Sequence, residues 1–228
     1  MPTTDPPLHG WLALLLQTAD PLFPTGAYAH SFGLEEAVRL GVVKDEPSLA
    51  TFLGLQIIPS LEQLDLPFLR RAHQAATEGD GQTLRSLNAE LDAWKPAREL
   101  RQASLQTGSR RLQMLLLVAP TPLAERFALE TGGQAHHVIV CALQGVAAPL
   151  EAVLTAYFYQ TLAGYCSAAL KLIRIGQEGC QRVLRAALEN AGPAVQSPLG
   201  PDAAGWFDPL LEIAAMRHER ANERLFIS

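Results

Sequence analysis

Hydrophobic positions along the chain recur every three to four residues, with Gly and Pro between the recurring stretches. This spacing places apolar side chains on one face of an α-helix. Proline disfavours helical backbone in the residue before it, so Asp20-Pro21 marks the end of a first helix. The pattern predicts six helices with both ends marked: residues 11–18, from 31–34 to Gly41, 60–77 with a kink at Pro67, 96–118, 149–174 and 177–190. For four further helices it marks one end only: two begin at about Pro47 and Trp206, and two end at Trp94 and Thr131.

The predicted helix over residues 149–174 is the most apolar of these, and residues 152–170 carry no charged side chain. Such a stretch suits either a membrane span or a helix buried at the centre of a bundle. Gln160, together with the threonines and tyrosines of the same segment, favours the buried helix. We therefore expect a central hydrophobic helix and no membrane association.

Composition leads to the same fold class. The chain is rich in Leu and Ala and poor in β-branched residues, which favours helix over strand. It has no internal repeat, and only residues 192–205 have the Gly and Pro content of a long loop. We predict an all-α fold, a single compact bundle of about ten helices around the central helix, spanning 1–228 with flexible ends at 1–8 and 219–228.

Charge and cysteine usage exclude several classes of function. A net charge of -5 argues against nucleic acid, which requires a concentrated basic face. The three cysteines lie in apolar helical surroundings without C-x-x-C spacing, and the apolar run at residues 11–16 is too short for an export signal or a span. A reducing cytoplasm is the expected location. Helix 96–118 is predicted to keep its arginines largely outside its apolar side: Arg98, Arg101, Arg110 and Arg111.

Searches for catalytic motifs give no active site. A P-loop needs Gly-Lys-Ser/Thr, and no lysine here follows a glycine. Ser109, in the sequence TGSRR, lacks the strand-turn-helix context of a nucleophile elbow. The expectation is a protein that is not an enzyme and carries no cofactor.

A weak metal candidate consists of His136, His137 and Cys141. The last two are four residues apart and share a face of a predicted helix, which gives two ligands of the right chemistry. His136 points about 100° away, and no carboxylate is close in sequence. A packed helix with one polar histidine is the alternative interpretation, and we expect no metal site.

Residue types that are frequent at interfaces occur in the opening loop and at the end of the chain. Tyr28 lies in the segment PLFPTGAYAHSFGLEE, residues 21–36, and the chain ends in Arg224, Leu225 and Phe226 followed by Ile-Ser. An apolar ending is explained if it docks, either on a partner or on the body of its own chain. Both possibilities are open at this point.

These segments resemble the UreF family of urease accessory proteins. The resemblance is carried by LFPTGAYAHSFGLE near the start and RHERANERLFIS at the end, and between them by ELRQASLQTGSRRL, AHHVIVCALQGVAAPLEAVLTAYFYQ and SAALKLIRIGQEGCQRVL. It covers essentially the whole chain. It implies an all-α, non-catalytic, homodimeric protein that binds UreD/UreH, recruits the nickel-carrying GTPase UreG and serves nickel insertion into apo-urease.

The resemblance also implies which residues bind partners. Tyr28 is expected to contact the GTPase, and the tail is expected to become ordered when UreD/UreH binds it. Lys171 is expected either to face a wet groove at the partner surface or to be a helix-end residue with its charge in solvent. The full predicted set is Pro24, Gly26, Tyr28, Ser31, Glu35, Tyr157, Lys171, Gln177, Arg224, Leu225, Phe226 and Ser228.

Two departures from the family pattern concern the same segments. Ala27 stands where a second glycine is commoner, and Arg174 stands where many members have proline. Two rival functions remain: a nickel-binding metallochaperone that uses His136, His137 and Cys141, and an α-helical enzyme with a small-molecule pocket under residues 152–170. The second rival is disfavoured because the sequence offers no evident set of convergent polar groups for a pocket.

Overall fold

The computed structural model describes residues 10–196, 205, 208–221 and 223–228, and these residues form helices and turns without a β-strand. Ten of the helices in that part of the chain have seven residues or more, which confirms the predicted all-α bundle. The helices are α1 Gly10–Ala19, α2 Leu34–Arg39, α3 Glu46–Phe52, α4 Ile58–Ser60, α5 Leu66–Thr77, α6 Gly81–Trp94, α7 Arg98–Val118, α8 Pro122–Glu130, α9 His137–Gln144, α10 Leu150–Leu172, α11 Gln177–Leu188, α12 Ala191–Gln196 and α13 Pro209–His218.

Helix starts follow from local side-chain chemistry. Asp45 accepts the N–H of Ser48 at 3.0 Å, and Ser48 Oγ accepts the N–H of Asp45 in return, so α3 begins with a reciprocal capping box. The side chains of Thr121 and Asp208 accept N–H groups in the first turns of α8 and α13, and each of these caps is followed directly by a proline. Proline fits there because the first helical N–H groups have no intrahelical acceptor.

Helices α3 to α5 run on from one another through two π-helical turns. The turns span Leu53–Ile57 and Leu61–Asp65, and the second lies just before Pro67 in the first turn of α5. Pro67 lacks an N–H and its ring crowds the preceding turn, so a wider turn accommodates it. The irregularity lies where the sequence predicts a kink.

Helix α10 is the centre of the bundle. It packs against α1, α2, α5, α9, α11 and α12, and the side chains of Leu154, Phe158 and Leu162 have no solvent exposure. The interpretation of residues 152–170 as a buried helix is therefore confirmed. In the described ranges, no helix is both long and apolar enough to cross a membrane.

The end of the chain differs from the prediction. Helix α12 spans Ala191–Gln196 although residues 192–196 were expected in a loop, because Ala194 and Val195 are buried against the core and Pro193 falls in the first turn, where it is tolerated. The remainder of that predicted loop, 197–204, lies outside the described residues, as do the predicted helix start at Trp206 and the N-terminal residues 1–8. The last described helix begins at Pro209.

Candidate functional site

The opening loop connects α1 to α2 and lies on the surface. Gly26 and Gly33 have φ angles of 78° and 89°, left-handed values that glycine adopts without strain. Between them a single 3₁₀ turn, Ala27–Ala29, places Tyr28 in solvent with 73% of its surface exposed. Pro24 is exposed in the same loop, whereas Ser31 is buried.

The C-terminal tail docks on this loop. The carbonyl oxygen of Ser228 accepts the N–H groups of Ser31 and Phe32, the latter at 3.2 Å. The N–H of Ile227 donates to the carbonyl oxygen of Ala29 at 2.8 Å. Of the two docking possibilities that the sequence left open, contact with the body of the same chain is present in this structure; flexibility of residues 219–228 stays a prediction.

Glu35 holds the tail from the other side. Its two carboxylate oxygens accept the N–H groups of Leu225 at 2.7 Å and Phe226 at 2.9 Å, and one of them also meets His218 Nε2 at 3.0 Å. Burial raises the pKa of this carboxyl, but the donors from Leu225, His218 and Phe226 together bring it below its ordinary value. Glu35 is therefore charged at neutral pH, and its carboxylate binds the backbone of the C-terminal tail of the same chain.

A chain of charged groups continues from Glu35 into the bundle. His218 is almost fully buried on α13, and its Nδ1 lies 2.8 Å from Glu99 Oε1 on α7. Each of the two ring nitrogens of His218 therefore faces a carboxylate. Arg224 Nη1 lies 3.6 Å from the same oxygen of Glu99, so the tail is tied to α7 as well as to α2. Burial raises the pKa of Glu99, and its Oε2 has no partner within the described chain.

One cation joins the loop and the tail. Lys171 Nζ, at the end of α10, lies 5.9 Å from the ring centroid of Tyr28 and 5.1 Å from that of Phe226. Phe226 is buried, while Leu225 and Ile227 on either side of it are 63% and 59% exposed. We call the surface formed by Tyr28, Lys171, Arg224, Leu225 and Ile227 the tail face.

The structure thus brings most of the predicted partner-binding residues together around the tail face, but not all. Tyr157 is buried and donates its hydroxyl to Asp65 at 2.9 Å, and burial raises the pKa of this phenol. Gln177 is exposed at the start of α11, next to the polar groove lined by Arg174 and Arg182. Neither residue belongs to the tail face.

A cavity of about 200 Å³ lies beneath the opening loop, between α7, α10 and α13. Side chains of Lys95, Arg111, His137, Tyr157 and Gln160 line it. The expectation that no convergent polar groups exist was wrong, because these residues come from separate helices whose packing brings them together. No local spacing in the sequence marks such a set.

Arg111 is the main polar group of this cavity that sequence reasoning missed. It was expected largely outside the apolar side of its helix, yet it is only 4% exposed. Arg111 follows Gly108 by three residues and precedes the buried Leu115 by four, so all three lie on the face of α7 that packs into the bundle. This spacing is the signal in the sequence that could have indicated its burial. Its guanidinium donates to Gln144 Oε1 at 2.8 Å, His137 Nε2 at 2.9 Å, Gln160 Oε1 at 3.0 Å and the carbonyl oxygen of Thr18 at 2.9 Å.

The three metal candidates are committed to other contacts. His136 ring nitrogens meet Ser104 Oγ at 2.9 Å and Asp92 Oδ1 at 3.1 Å, His137 Nε2 faces Arg111, and Cys141 Sγ accepts from Gln160 Nε2 at 3.4 Å. Burial raises the pKa of the Cys141 thiol, which disfavours the thiolate that binds metals. Among the described residues, no three His, Cys, Asp or Glu side chains are grouped so that they could hold a metal ion.

The fold and the site define an all-α protein with a central helix, a tail docked on an exposed loop and a polar cavity beneath it. Comparisons with known proteins narrow this class. The model of the family UreF matches residues 43–188. The urease accessory protein UreF of Arthrobacter sp. (strain FB24) is 35% identical over 221 residues, which cover 94% of this chain and 96% of that protein.

Relatives from other bacteria give the same result. The urease accessory protein UreF of Xanthobacter autotrophicus is 35% identical over 226 residues, 97% of this chain and 90% of that protein. That of Actinobacillus pleuropneumoniae is 31% identical over 227 residues, 96% of this chain and 100% of that protein. The chain belongs to the UreF family of urease accessory proteins, which confirms the resemblance of its terminal motifs.

Proposed function

We propose that this chain serves urease maturation as a non-catalytic scaffold that holds the GTPase UreG against UreD/UreH while nickel is inserted into apo-urease. In this proposal the chain acts as a homodimer and modulates the GTPase by placement alone. The observation that carries it is the tail face, where exposed aromatic, aliphatic and cationic side chains from three separate parts of the chain lie side by side. Family membership supports the urease part of the proposal.

The composition of the tail face suits protein binding. Tyrosine and arginine are enriched at binding hot spots, as tryptophan is, and Tyr28 and Arg224 are both accessible here. Leu225 and Ile227 add apolar area that a partner would remove from water. We assign Tyr28 to the contact with UreG and the tail to the contact with UreD/UreH, with Lys171 between the two.

Co-purification of the chain with UreD/UreH and UreG, in the presence of a GTP analogue and nickel, tests this assignment. The wild-type chain is expected to bring UreG into a complex that does not form without it. Tyr28→Ala is expected to weaken UreG recruitment at least about tenfold, because a hot-spot truncation costs about 2 kcal/mol or more. Arg224→Ala is expected to weaken UreD/UreH binding in the same range.

Leu129→Ala is the matched control, since Leu129 is 83% exposed on α8 and removal of its side chain leaves the tail face intact. Thermal melts of each variant separate loss of binding from loss of fold. A double variant Tyr28→Ala, Arg224→Ala that still assembled the complex and activated urease as the wild type does would rule out the tail face as the binding surface.

The metallochaperone rival makes a separate prediction. It requires stoichiometric nickel uptake by the purified chain, lost when His136, His137 and Cys141 are replaced. Their present contacts with Asp92, Arg111 and Gln160 do not favour it. Equilibrium dialysis with nickel, in which the scaffold proposal expects no stoichiometric uptake through these three side chains, decides between the two.

A further inference from the structure

The opening loop is anchored at its start by a side chain from the inside of the bundle. Thr18 lies in the last turn of α1, where the carbonyl groups have no partner within the helix. Arg111 reaches this turn from α7, and its Nη2 donates to the carbonyl oxygen of Thr18 at 2.9 Å. Gln144 on α9 donates to the hydroxyl of the same threonine and accepts from Arg111 Nε at 2.8 Å. The end of α1, from which the loop departs, is therefore fixed to α7 and α9.

The same guanidinium also contacts the loop itself. Its Cζ atom lies 5.6 Å from the ring centroid of Phe23, a distance at which the face of an aromatic ring attracts a cation. Phe23 is the first buried side chain of the loop, yet it is not part of the continuous apolar core of the described residues. Arg111 thus contacts both the helix before the loop and the ring that enters the bundle from the loop.

Short-range hydrogen bonds connect Phe23 to the exposed tyrosine of the loop. The N–H of Thr25 donates to the carbonyl oxygen of Phe23 at 2.7 Å, and the N–H of Ala27 donates to the hydroxyl of Thr25 at 3.4 Å. The 3₁₀ turn that starts at Ala27 then places Tyr28 in solvent. The position of the Phe23 ring therefore determines where the phenol of Tyr28 lies.

The tail holds the other half of the loop. The hydrogen bonds of its last two residues go to Ala29, His30, Ser31 and Phe32, all of which follow Tyr28 in the chain. The contacts of Arg111 with the loop and with α1 precede Tyr28. Two separate anchors, one on each side, therefore flank the residue assigned to the contact with UreG.

We propose that Arg111 is the positioning residue of the opening loop, which fixes the first half of the loop so that Tyr28 lies where UreG meets it. Arginine suits this role because its planar guanidinium donates in several directions, here to acceptors on α1, α9 and α10, while it also contacts an aromatic ring. Its importance for UreG rests on the contact between Tyr28 and UreG proposed above.

Hydrogen exchange of the full chain, measured by mass spectrometry without any partner, tests the anchor. Phe23→Leu is the decisive variant, because it removes the aromatic ring and leaves the hydrogen bonds of Arg111 in place. The loop amides between residues 20 and 30 are expected to exchange about tenfold faster than in the wild type, since a cation–π contact at a buried site is lost. The amides of α9 and α10 are expected to exchange as in the wild type.

Arg111→Lys is expected to accelerate exchange in the loop further, because one ammonium group cannot serve acceptors on three helices and contact the ring as well. This variant also loosens the contacts between α7, α9 and α10. The comparison of loop and helix amides in Phe23→Leu therefore decides the proposal.

Phe23→Tyr is the matched control. It keeps an aromatic ring next to the guanidinium, and Phe23 lines the cavity of about 200 Å³, which leaves space for the added hydroxyl. Its loop amides are expected to exchange as those of the wild type do. Loop exchange in a folded Phe23→Leu variant that equals the wild type, or that is no faster than in Phe23→Tyr, would overturn the role of Arg111.

Co-purification with UreG separates this inference from the scaffold proposal. UreG recruitment by each variant is expected to fall by the factor by which hydrogen exchange shows the closed population of the loop to fall. Full recruitment by a variant whose loop is mostly open would refute the contact between Tyr28 and UreG, while the exchange data would still establish Arg111 as the anchor of the loop.

Discussion

His136 is the N-cap residue directly before α9 and is completely buried, between Ser104 on α7 and Asp92 on α6. Burial lowers the pKa of this histidine to about 4, although the Asp92 carboxylate opposes the shift. Asp92 is half exposed, so water screens its charge and burial dominates. The residue that one rival function needs as a metal ligand is thus a neutral group in the contact between three helices.

A pH dependence of stability follows from this single side chain. The unfolded chain takes up a proton near the ordinary pKa of 6.5, whereas the folded chain does so only near pH 4. The contribution of His136 to the free energy of unfolding is therefore fully present above pH 6.5 and is lost as the pH falls toward 4, a decrease of about 3 kcal/mol. His30 and His137, whose pKa values are also lowered by burial, act in the same direction.

Urea denaturation of the wild type and of His136→Gln between pH 7 and pH 4 isolates this contribution. Glutamine retains a donor and an acceptor but cannot titrate, so the stability advantage of the wild type is expected to shrink by about 3 kcal/mol across the range. The buried carboxyls titrate in both proteins, so their contributions cancel in the difference between the two free energies of unfolding. An advantage that stayed constant with pH would show that His136 does not titrate in this window.

At the scale of elements, the close contact between α7 and α9 depends on Gly108. A Cβ at this position would lie 2.5 Å from the carbonyl carbon of His136 and from the backbone nitrogen of His137, and still closer to the carbonyl oxygen of Ala135. These are backbone atoms that cannot rotate away. The glycine therefore permits the approach that brings His137 to Arg111 and positions the wall of the cavity.

Gly108→Ala is accordingly expected to destabilise the chain by about 3 kcal/mol, because α9 must move away from α7. Gly164→Ala in α10 is the matched control, since a Cβ there meets nothing within 4 Å. In that variant the better helix propensity of alanine is expected to raise stability by about 0.5–1 kcal/mol. Urea denaturation of both variants measures the contrast, and equal free energies of unfolding would contradict the tight contact.

Element starts and ends were the most predictable part of the fold. Prolines mark them locally, as at Pro47 and at Asp20-Pro21, and the uncharged, apolar stretch 152–170 identified α10 as the central helix. The π turns were not predicted, because Pro67 by itself indicates only a kink. Helix α12 was not predicted, because it depends on the burial of Ala194 and Val195 against the core. The Gly and Pro content of residues 192–205 had indicated a loop that included residues 192–196.

At the scale of the whole molecule, contacts between distant parts of the chain limit what the sequence can predict. The exposure of Tyr28 could be expected from its loop, but the placement of Glu35 beneath Leu225 and Phe226 joins residues about 190 positions apart. The set around Arg111 likewise draws on four helices. The family resemblance pointed to exposed residues such as Tyr28 and to buried ones such as Tyr157, but it did not distinguish the two.

Glu35 links α2, α13 and the tail, so its replacement tests how firmly the tail is held. In Glu35→Gln, the side-chain oxygen can serve one of the two backbone N–H groups of Leu225 and Phe226, while the amide nitrogen faces the other as a second donor. The charge opposite His218 is lost as well. Opening of the tail is expected to become about tenfold more frequent, since hydrogen bonds to a charged acceptor contribute about 1.5–3 kcal/mol.

Limited trypsin digestion after Arg224 measures this opening directly, because the bond is cleaved only when the tail leaves the body. Glu46→Gln is the matched control, since Glu46 pairs with Arg182 at 2.8 Å, and among the described residues its carboxylate has no hydrogen bond or ion pair with the tail. Its cleavage rate is expected to equal that of the wild type, while that of Glu35→Gln rises about tenfold. The same variant in the co-purification with UreD/UreH determines which state of the tail the partner selects. A partner that binds the docked tail would bind Glu35→Gln more weakly than the wild type, whereas a partner that binds the free tail would bind it more tightly.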